Sequence, residues 1–336
     1  MKKLIFSFAV IAICIGAISN SRFADAASGE QKKAEVIEEN SDKNIKKVDR
    51  IVQDALKFPN NSDKNYTVDS KEEFKERLEE IDISSENYEK DLTHLYEQTD
   101  PDVIVSELCE QSADVVKAME EIGDKKPDES LNYTTKDGKD CVKDIYYLDS
   151  GAMVILSGED VKDNTFEKRG NDFFSACSIV TKKWYNDRAI IKKRGARRYT
   201  TKCQVGLGKK VYGHMSVTNH YTVTDTGIKF REAMCWDYGS SGPFKISEKG
   251  DAKLVSSSKC TKRGQTLSVM TKFEVVCKKE GNVSLSGQVG GVSVGTASTW
   301  KGSITKICKL YANVELRSKT TGAVLVDQYG VCQHSK

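Results

Sequence analysis

The apolar residues of this chain change their period once, near residue 170, and no other feature limits the fold as strongly. Downstream of about Asp172 the period is two. Val211, Met215, Val217, Tyr221 and Val223 take odd positions, while Tyr212, His214, Ser216, Thr218, His220 and Thr222 take even ones. Successive side chains of a strand point to opposite faces, so this alternation predicts a half-buried strand. Ile228, Phe230, Met234 and Trp236 predict a second strand, and Leu267, Val269, Phe273 and Val275 a third. Residues 283–289 and 292–297 flank Gly290-Gly291, a pair suited to a two-residue hairpin turn. Residues 304–316 and 323–331 complete the set, turning at Thr321-Gly322. Consecutive strands without intervening helices predict an antiparallel β-sandwich, with a barrel as the weaker alternative.

Upstream the period is 3.6. Ile45, Val48, Val52, Ala55 and Leu56 follow helical spacing, and "FPNNSDKNY" then reads as a linker. Ser70 and Glu73 have the spacing of a capping box ahead of Phe74, Leu78 and Ile81. Asp100 can cap a third helix that Pro101 opens, with Val105, Leu108, Cys109, Val116, Met119 and Ile122 as its stripe. "IYYLDSGAMVIL" predicts a hairpin turning at Asp149-Ser150-Gly151. The expected fold class is therefore α+β and multidomain, with a small acidic N-terminal helical region followed by an all-β antiparallel sandwich domain. The expected divisions are 1–26, signal peptide; 27–66, polar helical segment and linker; 67–160, acidic helical domain with a hairpin; and 170–336, basic cysteine-containing β-sandwich domain. A protease would be expected to cut between about 157 and 172.

Charge divides at the same place. Residues 27–150 hold 33 acids and 18 bases, whereas residues 151–336 hold 15 acids and 31 bases. Such an asymmetry speaks of interactions rather than of fold.

The chain opens with Lys2-Lys3, an apolar run from Leu4 to Ile18, and Ala24-Asp25-Ala26, the three-part layout of a secretory signal. The run is shorter than the roughly 20 residues of a spanning helix, and no later segment matches it. The residue before Cys14 is Ile13, where a lipoprotein signal needs a small one. The expectation is a secreted protein, extracellular or associated with a cell surface, with no transmembrane segment in the mature chain.

"MCWDYGSSGP" sets Cys235 beside aromatics, with His214 and His220 upstream. The two histidines share a strand face, opposite the apolar one, and so are expected to face solvent or an interface. Six residues of strand span about 20 Å, too far for both to hold one metal ion. No hydrolase signature surrounds Cys235, and no cofactor is implied. Trp236 and Tyr238, in parity with Phe230, are expected in the core. The disulfide candidates are Cys109, Cys141, Cys177, Cys203, Cys235, Cys260, Cys277, Cys308 and Cys332. They lie 17 or more residues apart, without the close Cys pairs typical of zinc sites. In an exported chain that spacing reads as disulfides of unassigned connectivity, with Cys109 and Cys141 as a local pair. An odd number leaves one cysteine unpaired or bridging two chains.

The segment 182–202 interleaves bases with Trp184, Tyr185 and Tyr199. Lys182, Lys183, Lys192, Lys193, Arg194, Arg197 and Arg198 are its candidate polyanion-binding residues. The partner implied is an anionic polymer or a cell-surface component, and the acidic half can mask the patch intramolecularly. "NVSLSGQVGGVSVGTAST" alternates small polar with apolar residues, as membrane-inserting hairpins do, but with arms of about seven residues where spanning strands need about 9–11. The first reading is a secreted binding or surface-associated protein without enzymatic activity. The second is a membrane-active, β-pore-forming or toxin-like protein with an acidic pro-region, and the third a secreted hydrolase.

Overall fold

The computed structural model describes residues 29, 32–57, 65–118, 126–135, 139–163, 183–185, 188–192, 194–235, 237–284 and 297–334. The expected signal peptide lies outside them.

Helices come first: α1 (32–42), α2 (Lys46–Lys57), α3 (Lys71–Glu79), α4 (Tyr88–Gln98) and α5 (Pro101–Ala118). The capping signals behave as their chemistry requires. The Ser70 hydroxyl accepts the Glu73 amide at 3.3 Å, and the Asp100 carboxylate accepts the Asp102 amide at 2.8 Å ahead of α5. The stripe of α4 is Tyr88, Leu92, Leu95 and Tyr96, all buried.

Strands follow: β1 (Glu129–Thr134), β2 (Asp140–Tyr147), β3 (Met153–Lys162), β4 (Lys183–Tyr185), β5 (Arg188–Lys192), β6 (Gly195–Leu207), β7 (Lys210–Thr224), β8 (Gly227–Met234), β9 (Tyr238–Ser240), β10 (Phe244–Glu248), β11 (Lys253–Leu254), β12 (Lys259–Cys260), β13 (Thr266–Ser284), β14 (Ala297–Ser318) and β15 (Ala323–His334). They form two curled antiparallel sheets, one ordered β1-β2-β3-β6-β7-β8-β12 with β9 on β7, the other β10-β13-β14-β15-β5-β4 with β11 on β13. This is the α+β arrangement expected from the change of period. The expected turns are present: the Gly151 amide donates to Leu148 O at 2.8 Å, and Gly322 has φ +63° between β14 and β15.

The two sheets face one another. Val217, Tyr221, Tyr199 and Cys203 of the first and Leu267, Val269, Phe273, Ala312 and Val314 of the second are all buried in one core. Asn219 crosses the gap, its amide donating to Leu267 O at 3.3 Å and Ala312 O at 3.1 Å.

The helical region is no separate unit. The Tyr88 and Tyr96 hydroxyls donate to Lys209 O and Gly208 O in the β6–β7 turn, and the Gly208 amide donates to Gln111 Oε1 at 2.7 Å. Gly208 has φ +50°, and a Cβ there would lie 2.1 Å from the Tyr96 hydroxyl, so the contact requires glycine. The hairpin β2–β3 is also continuous with the larger sheet, since β3 pairs with β6 from Met153↔Gly206 to Lys162↔Arg197. The expected division near 160–170 thus falls between two adjacent strands of one sheet.

Candidate functional site

The basic stretch is split by strand alternation. Arg197 sits on the face of β6 that meets the second sheet and is 3% exposed. Its Nε donates to Asp160 Oδ2 at 2.8 Å and its Nη2 to the same oxygen, while Asp160 Oδ1 accepts from the Tyr221 hydroxyl at 2.7 Å. A guanidinium so enclosed cannot meet an external polymer, which corrects the expectation for Arg197. Arg194 is exposed and donates to the carbonyls of Lys319 and Thr320 at 3.0 and 2.8 Å. Arg198, on the opposite face of β6, is half-buried. Lys182 and Lys193 lie outside the described residues, as do the side chains of Lys183 and Lys192. Acidic and basic halves do meet: Lys202 pairs with Asp42 at 3.2 Å and Lys210 with Asp49 at 2.5 Å.

Cys141, Cys203, Cys235, Cys260 and Cys277 are free thiols in the structure, so Cys109 and Cys141 do not form the expected local pair. They stand on α5 and β2, and the thiol that acts electrostatically on Cys277 is Cys109. Burial pushes the Cys203, Cys277 and Cys141 thiols up to about 12, with the Glu159 carboxylate adding to the effect at Cys141. Cys308 is disulfide-bonded, and its register partner across β14–β15 is Cys332. Cys177 lies outside the described residues.

Of the two histidines expected to face solvent or an interface, His220 is enclosed while His214 stays partly exposed. His220 is 2% exposed, with Nδ1 2.6 Å from Asp163 Oδ2, and His214 is half-buried with Nε2 2.9 Å from Asp237 Oδ1. Polar parity along β7 is not solvent parity, because Ser216 and Thr218 on the same face are buried too. Tyr238 is likewise corrected. It is 43% exposed on the short β9, which pairs only with β7 among the described strands, and its ring packs against Phe273, centroids 5.9 Å apart. Trp236 lies outside the described residues.

Two features collect chemistry. The first is a cavity of about 310 Å³ on the outer face of the larger sheet, beside α1. Its floor follows the register: Lys143 of β2 lies across from Ser157 of β3, Ser157 from Lys202 of β6, and Lys202 from Ser216 of β7. Glu38, Glu159, Arg198, Thr200 and Asp237 also line it. Several of these charges are already engaged. Glu38 accepts from the Tyr133 hydroxyl at 2.6 Å, Glu159 meets Lys139 at 3.4 Å, and Asp237 meets His214. Lys143 differs. It is 3% exposed, and its ammonium makes no hydrogen bond or ion pair with a described residue. Burial pushes it below the usual lysine range, against the through-space attraction of Glu38 and Asp42. Sequence reasoning missed Lys143, since seven successive residues of β2, Asp140 to Tyr146, are buried and no alternation marks one of them out.

The second feature is the β13–β14 hairpin. The strands are 19 and 22 residues long. The third strand on one side, β10, stops at Phe244↔Cys277, and that on the other, β15, stops at Lys306↔His334. Lys278–Ser284 and Ala297–Ser303 therefore form a two-stranded ribbon with no neighbouring strand among the described residues. Of the arms expected at 283–289 and 292–297, only Val283, Ser284 and Ala297 are described, and they end these long strands. Counted from that edge to Gly290-Gly291 the sequence supplies residues 278–289 and 292–303, of which 285–289 and 292–296 lie outside the described residues.

Among the described residues no group of His, Cys, Asp and Glu is arranged to hold a metal ion, and no helix is long and apolar enough to cross a membrane. No family model, no curated protein and no solved structure matches this chain.

Proposed function

We propose that this is an exported protein that acts on membranes by binding and insertion rather than by catalysis, with the β13–β14 ribbon as the inserting part. The reading rests on one observation, the ribbon's continuation past both flanking strands. The described ribbon runs from Lys278 to Ser284 and from Ala297 to Ser303, and the sequence between each end and Gly290-Gly291 is long enough to make up the about 9–11 residues that a tilted spanning strand needs. In sequence the ribbon alternates Val283, Leu285 and Val289 with Ser284, Ser286 and Gln288, and returns through Val292 and Val294 around Ser293. One apolar and one small-polar face is what a strand between lipid and a water-filled lumen requires. A lone hairpin would leave its edge amides unpaired in hydrocarbon, so insertion demands that several copies close a barrel.

The test uses the chain from residue 27 onward and dye-loaded vesicles of phosphatidylcholine and phosphatidylserine. The expected result is dye release accompanied by vesicle-bound oligomers. Val283→Lys should abolish release while leaving the melting temperature unchanged, because a lysine at mid-bilayer costs about 2–4 kcal/mol per copy. Absence of both release and flotation with the vesicles would refute the reading.

A further inference from the structure

We infer that the cavity beside α1 is a binding site for a small carboxylate-bearing molecule, with Lys143 as the residue that receives the carboxylate. Lys143 is 3% exposed and lines the cavity, yet no hydrogen bond or ion pair from a described residue reaches its ammonium. Its surroundings explain why. Glu38 is engaged by the Tyr133 hydroxyl, and Asp42 is shared between Lys202 at 3.2 Å and the Gln204 amide at 2.7 Å. Both carboxylates act on Lys143 only from a distance, and the like charge of Lys202 opposes them. A buried cation in that position is stabilised only by an anion brought to it.

The space and its walls limit what that anion can be. A volume of about 310 Å³ lies at the lower end of small-molecule sites and suits a ligand of few heavy atoms. Ser157 lies across from Lys143 in the register, its hydroxyl donating to Lys202 O at 3.5 Å, and Thr200 of β6 lines the same cavity, so two hydroxyls are within the site for a second oxygen. The Thr200 hydroxyl is shared with that of Thr218 at 2.9 Å, so it can turn toward a ligand. Glu38 and Glu159 line the same cavity and would repel a phosphate dianion. A monoanionic carboxylate meets the Lys143 ammonium with about half of that repulsion, and an amino group on the same molecule would be met by the two glutamates.

Acetate, glycine and inorganic phosphate serve as probes, each against sodium chloride of equal ionic strength. Acetate and glycine should raise the melting temperature of the wild-type protein progressively with concentration, and phosphate should add nothing beyond the salt control. Acetate should also protect Lys143 from reductive methylation, read residue by residue by mass mapping of the wild-type chain. Lys143→Met should raise the melting temperature without any probe, by removing the uncompensated charge, and should abolish the response to acetate and glycine. A wild-type protein indifferent to both carboxylates, a response to phosphate alone, or an equal acetate response in Lys143→Met would overturn the inference. If the variant does not fold, the protection of Lys143 in the wild type decides alone. None of these readouts involves a membrane, so their failure is distinct from failure of the vesicle experiment.

Discussion

Replacing Asp160 by Asn should be among the most damaging single changes this protein can suffer. Asp160 is fully buried and accepts from Arg197 through two nitrogens and from the Tyr221 hydroxyl. Asparagine keeps the shape, so no cavity opens, but it removes the only carboxylate among the described residues in contact with a guanidinium that is 3% exposed. A buried charge stripped of its partner costs about 3–5 kcal/mol. For a chain of this length that is a fall in melting temperature of about 5–8 °C. Equilibrium unfolding in urea followed by tryptophan fluorescence reads the loss directly. The companion variant is Asp160→Leu with Arg197→Met, which removes both charges together. Swapping a buried pair for apolar side chains is close to neutral, apart from about 1–3 kcal/mol for the Tyr221 hydroxyl left without its acceptor. The double variant should therefore be more stable than Asp160→Asn. A single variant within about 1 kcal/mol of wild type, or a double variant less stable than the single, would refute the reasoning.

Three further outcomes follow from the packing. In the native protein, iodoacetamide at pH 8 should leave Cys203, Cys141 and Cys277 unmodified, because burial pushes each thiol up to about 12, whereas in urea all three should react. The same shifts set an alkaline limit. Unfolded thiols lose their protons near pH 9 and folded ones keep them, so stability is full below pH 9 and falls as pH rises toward 12. Cys203 alone contributes about 1.4 kcal/mol per pH unit in that window, and Cys203→Ala should flatten the pH dependence of urea unfolding by that amount. Removing residues 27–118 should give an aggregating product in size-exclusion chromatography, because the tyrosines of α4 and Gln111 of α5 satisfy the β6–β7 turn and the helices share one core with the sheets.

The change of period was a sufficient guide to the architecture, because it reports the backbone repeat itself. The caps at Ser70 and Asp100 and the turns at Gly151 and Gly322 could be read for a similar reason, since each rests on a local requirement that one or two residues meet. Helix α1 and strands β10 to β12 were not legible. They owe their form to tertiary contacts, as when the Asn40 amide donates to Ile83 O at 2.7 Å and Ser85 O at 3.0 Å.

Alternation reports which residues share a face, but not what lies over that face, and most of the misplacements have this origin. His220 and Arg197 were both expected outside. They lie on opposite faces of the larger sheet, and both are buried with carboxylate partners. The sheet is covered on one side by the second sheet, and parts of its other side carry helices, so polar residues on either face meet protein rather than water. The same covering hid the cavity, for Lys143 becomes conspicuous only once α1 closes over the row that runs from β2 to β7. The ribbon was misjudged for another reason. Apolar alternation placed its arms at 283–289 and 292–297, yet the backbone pairing runs on through Lys278, Lys279 and Lys301. Strand length is set by register along the whole ladder, whereas hydrophobicity marks only the stretch that needs an apolar neighbour.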